Sequence, residues 1–178
     1  MPYYLATDLG TTGCRSIIFD ERLELLASSY EEYPLYAEGE GVVEQDAMDY
    51  WRLTLKTAED AIKKSGISPL DVRSIGVSSQ GITLIPVDKS ITPIRRAMSW
   101  LDVRAKEEAQ QIKLDFGDEL FTHTGKPASP AYTLPKILWL MKNEPEVYAA
   151  AYSFSTSFHA WKDGRGSVPE RVVEDLNK

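Results

Sequence analysis

The chain has 178 residues, 43% of them hydrophobic and 26% charged, enough for one ordinary globular domain that buries roughly two-thirds of its unfolded surface. Its formal charge of -7 argues against nucleic acid or an anionic membrane surface as partner, since both need a basic face. The single cysteine, Cys14, allows no internal disulfide framework, no apolar run is long enough to span a bilayer, and no signal-peptide pattern opens the chain, so a cytoplasmic setting is expected.

Residues 3–9, 14–19 and 23–32 read as three short strands joined by tight turns at 10–13 and 20–22. Turns that short make neighbouring strands antiparallel, so the chain is expected to begin as a meander. Tyr33-Pro34 ends the third strand, and a glycine-bearing loop runs to Gly41. Asp46 can then cap a helix, Asp49 favours its positive end, and Ser65-Gly66 stops it. Met48, Trp51, Leu55, Ala58 and Ile62 recur at spacings of three and four, which predicts that they form the core face of that helix. Val72 to Ser79 follows as a fourth strand with Ile75 and Val77 facing inward; a helix between strands favours a parallel crossover.

Residues 82–87 and 91–94 flank Asp88-Lys89-Ser90 as a further hairpin, kept to a sheet edge by Pro86 and Pro93. Asp102 is expected to cap a polar helix through Leu114, with a short separate helix over 117–121. Thr133, with Pro135 in the first turn, opens a helix to Asn143 whose apolar stripe is Leu134, Ile137, Leu138 and Met141. Residues 144–151 read as helical and 152–156 as a strand. Residues 157–178 form an atypical tail whose turn-rich, charged composition leaves its order open.

The most informative segment is Gly10-Thr11-Thr12-Gly13 between the first two strands. Glycine backbone lets an anion approach the N–H groups, and two hydroxyls add donors. Asp8 stands beside the loop, where a hydrated magnesium ion on a nucleotide could be held through oxygen. The same residues also suit an ordinary hairpin turn, and the segment is neither a Walker A loop nor a Gly-x-Gly-x-x-Gly fingerprint. Cys14, within a strand, reads as a buried inert thiol, and His123 and His159 have no partner at metal-ligand spacing.

Five segments, taken in order, resemble the FGGY family of carbohydrate kinases and together cover about residues 3–152. Asp8-Leu9-Gly10-Thr11-Thr12-Gly13 is similar to the family's first phosphate motif. Gly41-Val42-Val43-Glu44-Gln45-Asp46 resembles its Gly-Trp-Val-Glu-Gln-Asp segment, with Val42 in place of tryptophan. Ile75-Gly76-Val77-Ser78-Ser79-Gln80 resembles the strand that ends at the sugar pocket. Pro93 through Trp100-Leu101-Asp102-Val103-Arg104-Ala105 is similar to a Pro…Trp-x-Asp-x-Arg stretch, and Thr124-Gly125 with Tyr132 to Leu140 to the helix after the pocket.

The resemblance implies an actin-like, ribonuclease-H-like α/β domain over residues 1–156, with a mixed sheet that starts as a three-strand antiparallel meander and helices on both faces. It implies transfer of the γ-phosphoryl group of ATP, with Mg2+, to a sugar or polyol hydroxyl, chemistry that asks a protein mainly for positioning and charge neutralisation. On matching positions Asp8 would hold the magnesium, and Gly10, Thr11, Thr12 and Gly13 the phosphate oxygens. Gln80, Trp100 and Asp102 would face the sugar, Asp102 accepting its hydroxyl hydrogen bonds. Each has an everyday alternative: Asp8 satisfying the hairpin, Trp100 in the core, Asp102 as a helix cap. Arg104 is expected only to form a solvated pair with Glu107 or Glu108 and stays outside the site.

Gly81-Ile82 stands where glycerol kinase has Arg-Glu and xylulokinase has Met-His, and Ala131 replaces a pocket tyrosine of glycerol kinase. Neither substrate is favoured; these positions are closer to gluconokinase-like or uncharacterised branches. The family's catalytic aspartate, adenosine motif and second kinase domain would lie beyond residue 178. The expectation is therefore an N-terminal fragment with no catalytic base of its own, inactive without its C-terminal domain. Alternatives are a non-catalytic sugar-binding or self-associating module, a homodimer among its forms, and an actin-like or chaperone-like ATPase sharing the hairpin. The Trp100-Leu101-Asp102 segment speaks against the last.

Overall fold

A computed structural model describes residues 1–155. Strands β1 (Tyr3–Leu9), β2 (Gly13–Phe19) and β3 (Leu25–Glu32) form the expected antiparallel meander. Asp20 Oδ1 accepts from the N–H groups of Arg22 at 2.8 Å and Glu24 at 2.9 Å, drawing residues 23 and 24 into the second turn with Leu23 at φ 62°. A two-residue strand, β4 (Glu44–Gln45), precedes helix α1 (Ala47–Ser65). The helix starts where its sequence says: the Asp46 side chain accepts from the Met48 N–H at 2.9 Å, and Gly66 at φ 71° ends it. It carries the chain across to β5 (Val72–Ser79), which lies parallel beside β1, giving the order β3-β2-β1-β5.

The face that α1 turns to the sheet differs from the predicted stripe. Ala47, Tyr50, Leu53, Thr54, Thr57 and Ala61 are buried, while Met48, Trp51 and Leu55 are about half exposed. Of the predicted set, only Ala58 and Ile62 pack against the core, beside Leu5 and Ile18. The reason is hydrogen bonding. Thr57 Oγ1 lies 2.9 Å from Ser16 Oγ and 3.5 Å from the Cys14 thiol, Thr54 Oγ1 lies 3.3 Å from the same thiol, and Thr7 Oγ1 lies 3.0 Å from Ser16 Oγ. Hydroxyls that satisfy one another can be buried between helix and sheet, so threonines take core positions that a count of apolar residues assigns elsewhere. Cys14 is buried, as its strand position suggested.

A second layer follows, built from β6 (Ile85–Val87), β7 (Ala97–Met98), α2 (Lys106–Thr124), α3 (Thr133–Asn143), α4 (Pro145–Ala150) and β8 (Ser153–Ser155). The Asp88 turn forms, but residues 91–94 contribute only a bridge from Pro93 to Val87; β6 takes β8 as its antiparallel partner. β7 pairs with β4. Leu84, Met98 and Leu140 form the core of this layer. The two predicted helices over 102–121 are one, α2, running straight through Gly117, since one interior glycine costs only about 1 kcal/mol. Its N-cap is Ala105, so Asp102 is not a helix cap. In α3, Pro135, Lys136 and Leu140 are buried, whereas Leu134 and Met141 are about half exposed. Lys136 holds the centre because its Nζ donates to the Ser99 carbonyl at 2.6 Å.

Among the described residues, α1 lies over β2 and β3 on one face of the sheet, and α2 to α4 gather around the smaller strand pairs. Ile75 therefore has little above it and is 63% exposed, not inward-facing as its alternation suggested. The outer edge of β5 pairs with no described strand. Thr156, the tail over 157–178 and His159 lie outside the described residues. No described helix is long and apolar enough to cross a membrane.

Thr57→Val keeps the shape of the side chain but leaves Ser16 and Cys14 short of a partner. Urea unfolding should show a loss of about 1–2 kcal/mol. Met48→Ala, on the exposed side of the same helix, should stay within about 0.5 kcal/mol of the parent.

Candidate functional site

The turn between β1 and β2 is held from several directions. The Gly10 N–H donates to the Gly13 carbonyl at 2.9 Å, closing the turn. A Cβ on Gly13 would stand 2.5 Å from the Glu31 carbonyl oxygen and 2.5 Å from the Tyr30 hydroxyl, so a side chain does not fit. The Tyr33 hydroxyl donates to the Gly10 carbonyl, and the Tyr33 N–H to the Thr12 carbonyl at 3.2 Å. Gln45 Nε2 donates to the Thr11 carbonyl at 2.9 Å, and Trp100 Nε1 donates to Thr11 Oγ1 at 2.9 Å.

This leaves a defined set of donors. The Gly10 amide is used inside the turn, but the N–H groups of Thr11 and Thr12 find no acceptor among the described residues. Thr11 Oγ1 accepts from the indole and so keeps its own O–H to give, and Thr12 is exposed. Adjacent amides and hydroxyls on a fixed turn suit phosphate oxygens.

Gln45, buried on β4, is the hub of the site. Its Oε1 accepts from the Tyr50 hydroxyl at 2.7 Å and from Gln80 Nε2 at 3.0 Å, while its Nε2 holds Thr11. Gln80 Nε2 also lies 3.0 Å from the Tyr50 hydroxyl, and the Gln80 N–H donates to the Leu9 carbonyl at 2.8 Å. Burial pushes the phenols of Tyr33 and Tyr50 well above their usual range, so both remain protonated donors near neutral pH. Pairing of β4 with β7, extended by the Ser99 N–H donating to the Val43 carbonyl at 3.0 Å, sets Trp100 beside Gln45.

Asp8, Gly10, Thr11, Gln80 and Trp100 line one open cleft of about 530 Å³, together with Ser78, Gly81, Ile82, Lys126 and Tyr132. Thr12 and Gly13 share the turn without lining the cleft. Trp100 is a wall residue, 39% exposed, rather than core. Asp8 is the one carboxylate among the lining residues. A single hard oxygen donor beside phosphate-sized donors fits Mg2+, which keeps most of its waters and binds through one or two carboxylates plus phosphate.

Asp102 corrects its expected role. It is fully buried and does not line the cleft. Its Oδ2 accepts from the Val43 N–H at 2.8 Å and from Arg104 Nη2 at 2.7 Å, and its Oδ1 accepts from the Arg104 N–H at 3.1 Å. Its oxygens are taken by protein donors, so it does not present them to a sugar. Arg104 is likewise not a solvated helix-surface pair: it is nearly buried, bonds Glu44 Oε1 at 2.6 Å and stacks 4.9 Å from the Trp139 ring centroid. Arg95 bonds the same Glu44 carboxylate and grips Glu144 through two 2.8 Å contacts. Glu44, Gln45 and Arg95 have no role that local sequence predicts, and their one signal is the Glu-Gln-Asp run, in which Asp46 reads as a helix cap.

Residues 3–161 match the FGGY family of carbohydrate kinases, N-terminal domain. A glycerol kinase from Roseobacter denitrificans is 35% identical over 145 residues, which is 80% of this chain and 29% of that protein. Among solved structures, a gluconate kinase from Lactobacillus acidophilus superposes with a TM-score of 0.83 at 26% identity, covering 89% of this chain and 32% of that one. A ligand-bound xylulose kinase from the same organism gives 0.80 at 26% identity, covering 86% and 31%. The chain thus spans about 30% of the length of these relatives.

Two measurements check the geometry. Gly13→Ala should destabilise the chain by about 1–3 kcal/mol in urea, because backbone must move to admit the methyl group. Gly76→Ala, with nothing within 4 Å of the added Cβ, should be close to neutral. Burial lowers the pKa of Lys136 from 10.5 to about 8. Above pH 8 the unfolded chain then binds more protons at this residue than the folded one, so its contribution to stability rises with pH. Relative to Lys136→Met, the parent should gain stability between pH 8 and pH 10 and show a flat difference below pH 7.

Proposed function

Because the chain belongs to the FGGY family of carbohydrate kinases, as its N-terminal domain, we propose that its cleft holds the phosphate end of a magnesium-bound nucleotide against a sugar or polyol hydroxyl. The observation that carries this reading is Thr11, fixed by Gln45 and Trp100 so that its amide and hydroxyl remain available beside Asp8. Thr11 and Thr12 would donate to phosphate oxygens, and Gly10 and Gly13 would let them approach. Asp8 would hold Mg2+, mostly through water. Bound Mg·ATP would supply the transferable phosphoryl group and neutralise its charge.

Gln80 and Trp100 would form the sugar side. Their orientation is set in advance by Gln45, Tyr50 and Thr11, the kind of preorganisation that phosphoryl transfer requires. Asp102 would act as a positioning residue, holding Val43 and Arg104 and so the segment that carries Trp100. Transfer also needs a carboxylate to take the hydroxyl proton. Asp8 would be committed to the metal, and no other carboxylate lines the cleft among the described residues. Residues 1–178 alone would therefore bind ligands without turning them over, needing the C-terminal kinase domain for activity. The exposed edge of β5 beside Ile75 favours a second reading, in which the isolated chain self-associates as a homodimer. Cys14 as a buried thiol suits a reducing cytoplasm.

Calorimetric titration with Mg·ADP tests the proposal. Asp8→Asn should weaken binding roughly tenfold in the presence of magnesium and leave it unchanged in EDTA. Equal affinities in magnesium would sink the metal assignment. Sugar-dependent ADP production from ATP should stay at the level of an Asp8→Ala control, and activity above that level would show that the chain needs no second domain.

A further inference from the structure

Lys136 is a cation in a core position. It sits in the first half of α3, is fully buried, and makes no ion pair among the described residues. Burial draws its pKa down to about 8, an effect that Asp102 opposes and Arg104 reinforces, so the side chain is still an ammonium at neutral pH. Taking an ammonium out of water is costly, and a methionine of similar length would fill the space without that cost. What the ammonium touches is therefore its reason for being there. Nζ donates to the Ser99 carbonyl at 2.6 Å, and the same oxygen accepts the Asp102 N–H at 2.9 Å, closing a turn over residues 99–102. A carbonyl and the amide that follows it share one rigid plane, so a donor fixed on the Ser99 oxygen also fixes the peptide entering Trp100. At the far end of that side chain, Nε1 donates to Thr11 Oγ1 at 2.9 Å.

Resting on the proposed phosphate reading of the turn between β1 and β2, we infer that Lys136 is a positioning residue for that turn. Its ammonium pins the Ser99 carbonyl, so that the Trp100 indole meets Thr11 Oγ1 and leaves the Thr11 hydroxyl proton for a phosphate oxygen. Lys136 does not line the cleft, so it acts through Trp100 and touches no ligand itself. The Thr11 carbonyl keeps its own bond from Gln45 when the indole moves, which confines the loss to the hydroxyl's contact. By this route α3, in the second layer, helps set donors that belong to the first.

The test is a double-mutant cycle on the 178-residue chain, read by calorimetry with Mg·ADP. Lys136→Met should weaken binding about fivefold in the parent, but by less than about twofold in Trp100→Phe, where no indole is left to place. In labelled protein, the indole N–H signal that Trp100→Phe removes should move in Lys136→Met while that of Trp51 stays. Equal weakening in both backgrounds, or an unmoved Trp100 signal, is what a lysine that only fills the core would give; either would overturn the inference and leave the nucleotide reading standing. Absence of Mg·ADP binding by the parent would remove the nucleotide reading and this inference together. If a thermal melt shows Lys136→Met to be unfolded, the coupling is read from the other side, since it is reciprocal. Trp100→Phe should then shift the Lys136 ammonium signal in lysine-labelled protein, and an unmoved signal would overturn the inference.

Discussion

One side-chain amide holds the site together. Gln45 gives its N–H to the Thr11 carbonyl and receives Tyr50 and Gln80 on its oxygen. The hairpin that faces an anion and the strand end that faces a carbohydrate are thereby bolted to the same buried group. A short glycine-containing turn has little stiffness of its own. Its shape here is imposed from outside by Gln45, Trp100 and Tyr33. Donors that need not reorganise when charge arrives are worth more than donors that must first be ordered.

Behind that amide stands a chain of charges, buried at Asp102 and half-buried beyond it. Asp102, Arg104, Glu44, Arg95 and Glu144 alternate in sign, and each carboxylate meets a guanidinium. Such a chain is a poor source of net stability, because desolvation offsets much of the attraction. Its value is geometric. It ties β4 to the loop after β7 and to the start of α4, which fixes where Gln45 and Trp100 can be. Removing Arg104 would leave the buried Asp102 carboxylate without its guanidinium, a costlier outcome than losing an exposed pair.

The parts of the fold legible in the sequence are those fixed by local chemistry. Turn length gave the antiparallel meander, Asp46 and Gly66 gave the ends of α1, and an intervening helix gave the parallel crossover to β5. The cleft residues Asp8, Gly10, Thr11, Gln80 and Trp100 were legible through motif resemblance. What escaped depends on partners far along the chain. Thr54 and Thr57 are buried only because Cys14 and Ser16 receive them. Asp102 looks like a ligand or a cap until Val43 and Arg104 occupy it. Ile75 alternates like a core residue, yet the helix that would cover it lies over other strands. Periodicity reports what a segment could bury, and the neighbours decide whether it does.

The position of β5 also bears on how the chain acquires its shape. β1 meets β2 across a turn of a few residues, but it meets β5 only after the meander, a loop and a nineteen-residue helix have intervened. Closing so wide a span is entropically costly and comes slowly, whereas the meander and helix can assemble from nearby partners. Gln80 reaches Leu9 and Gln45 only once that span has closed. The chemistry-bearing end of the sheet thus hangs on a pairing far along the chain, and a chain with that span open would hold the hairpin while lacking the wall that gives it a cleft.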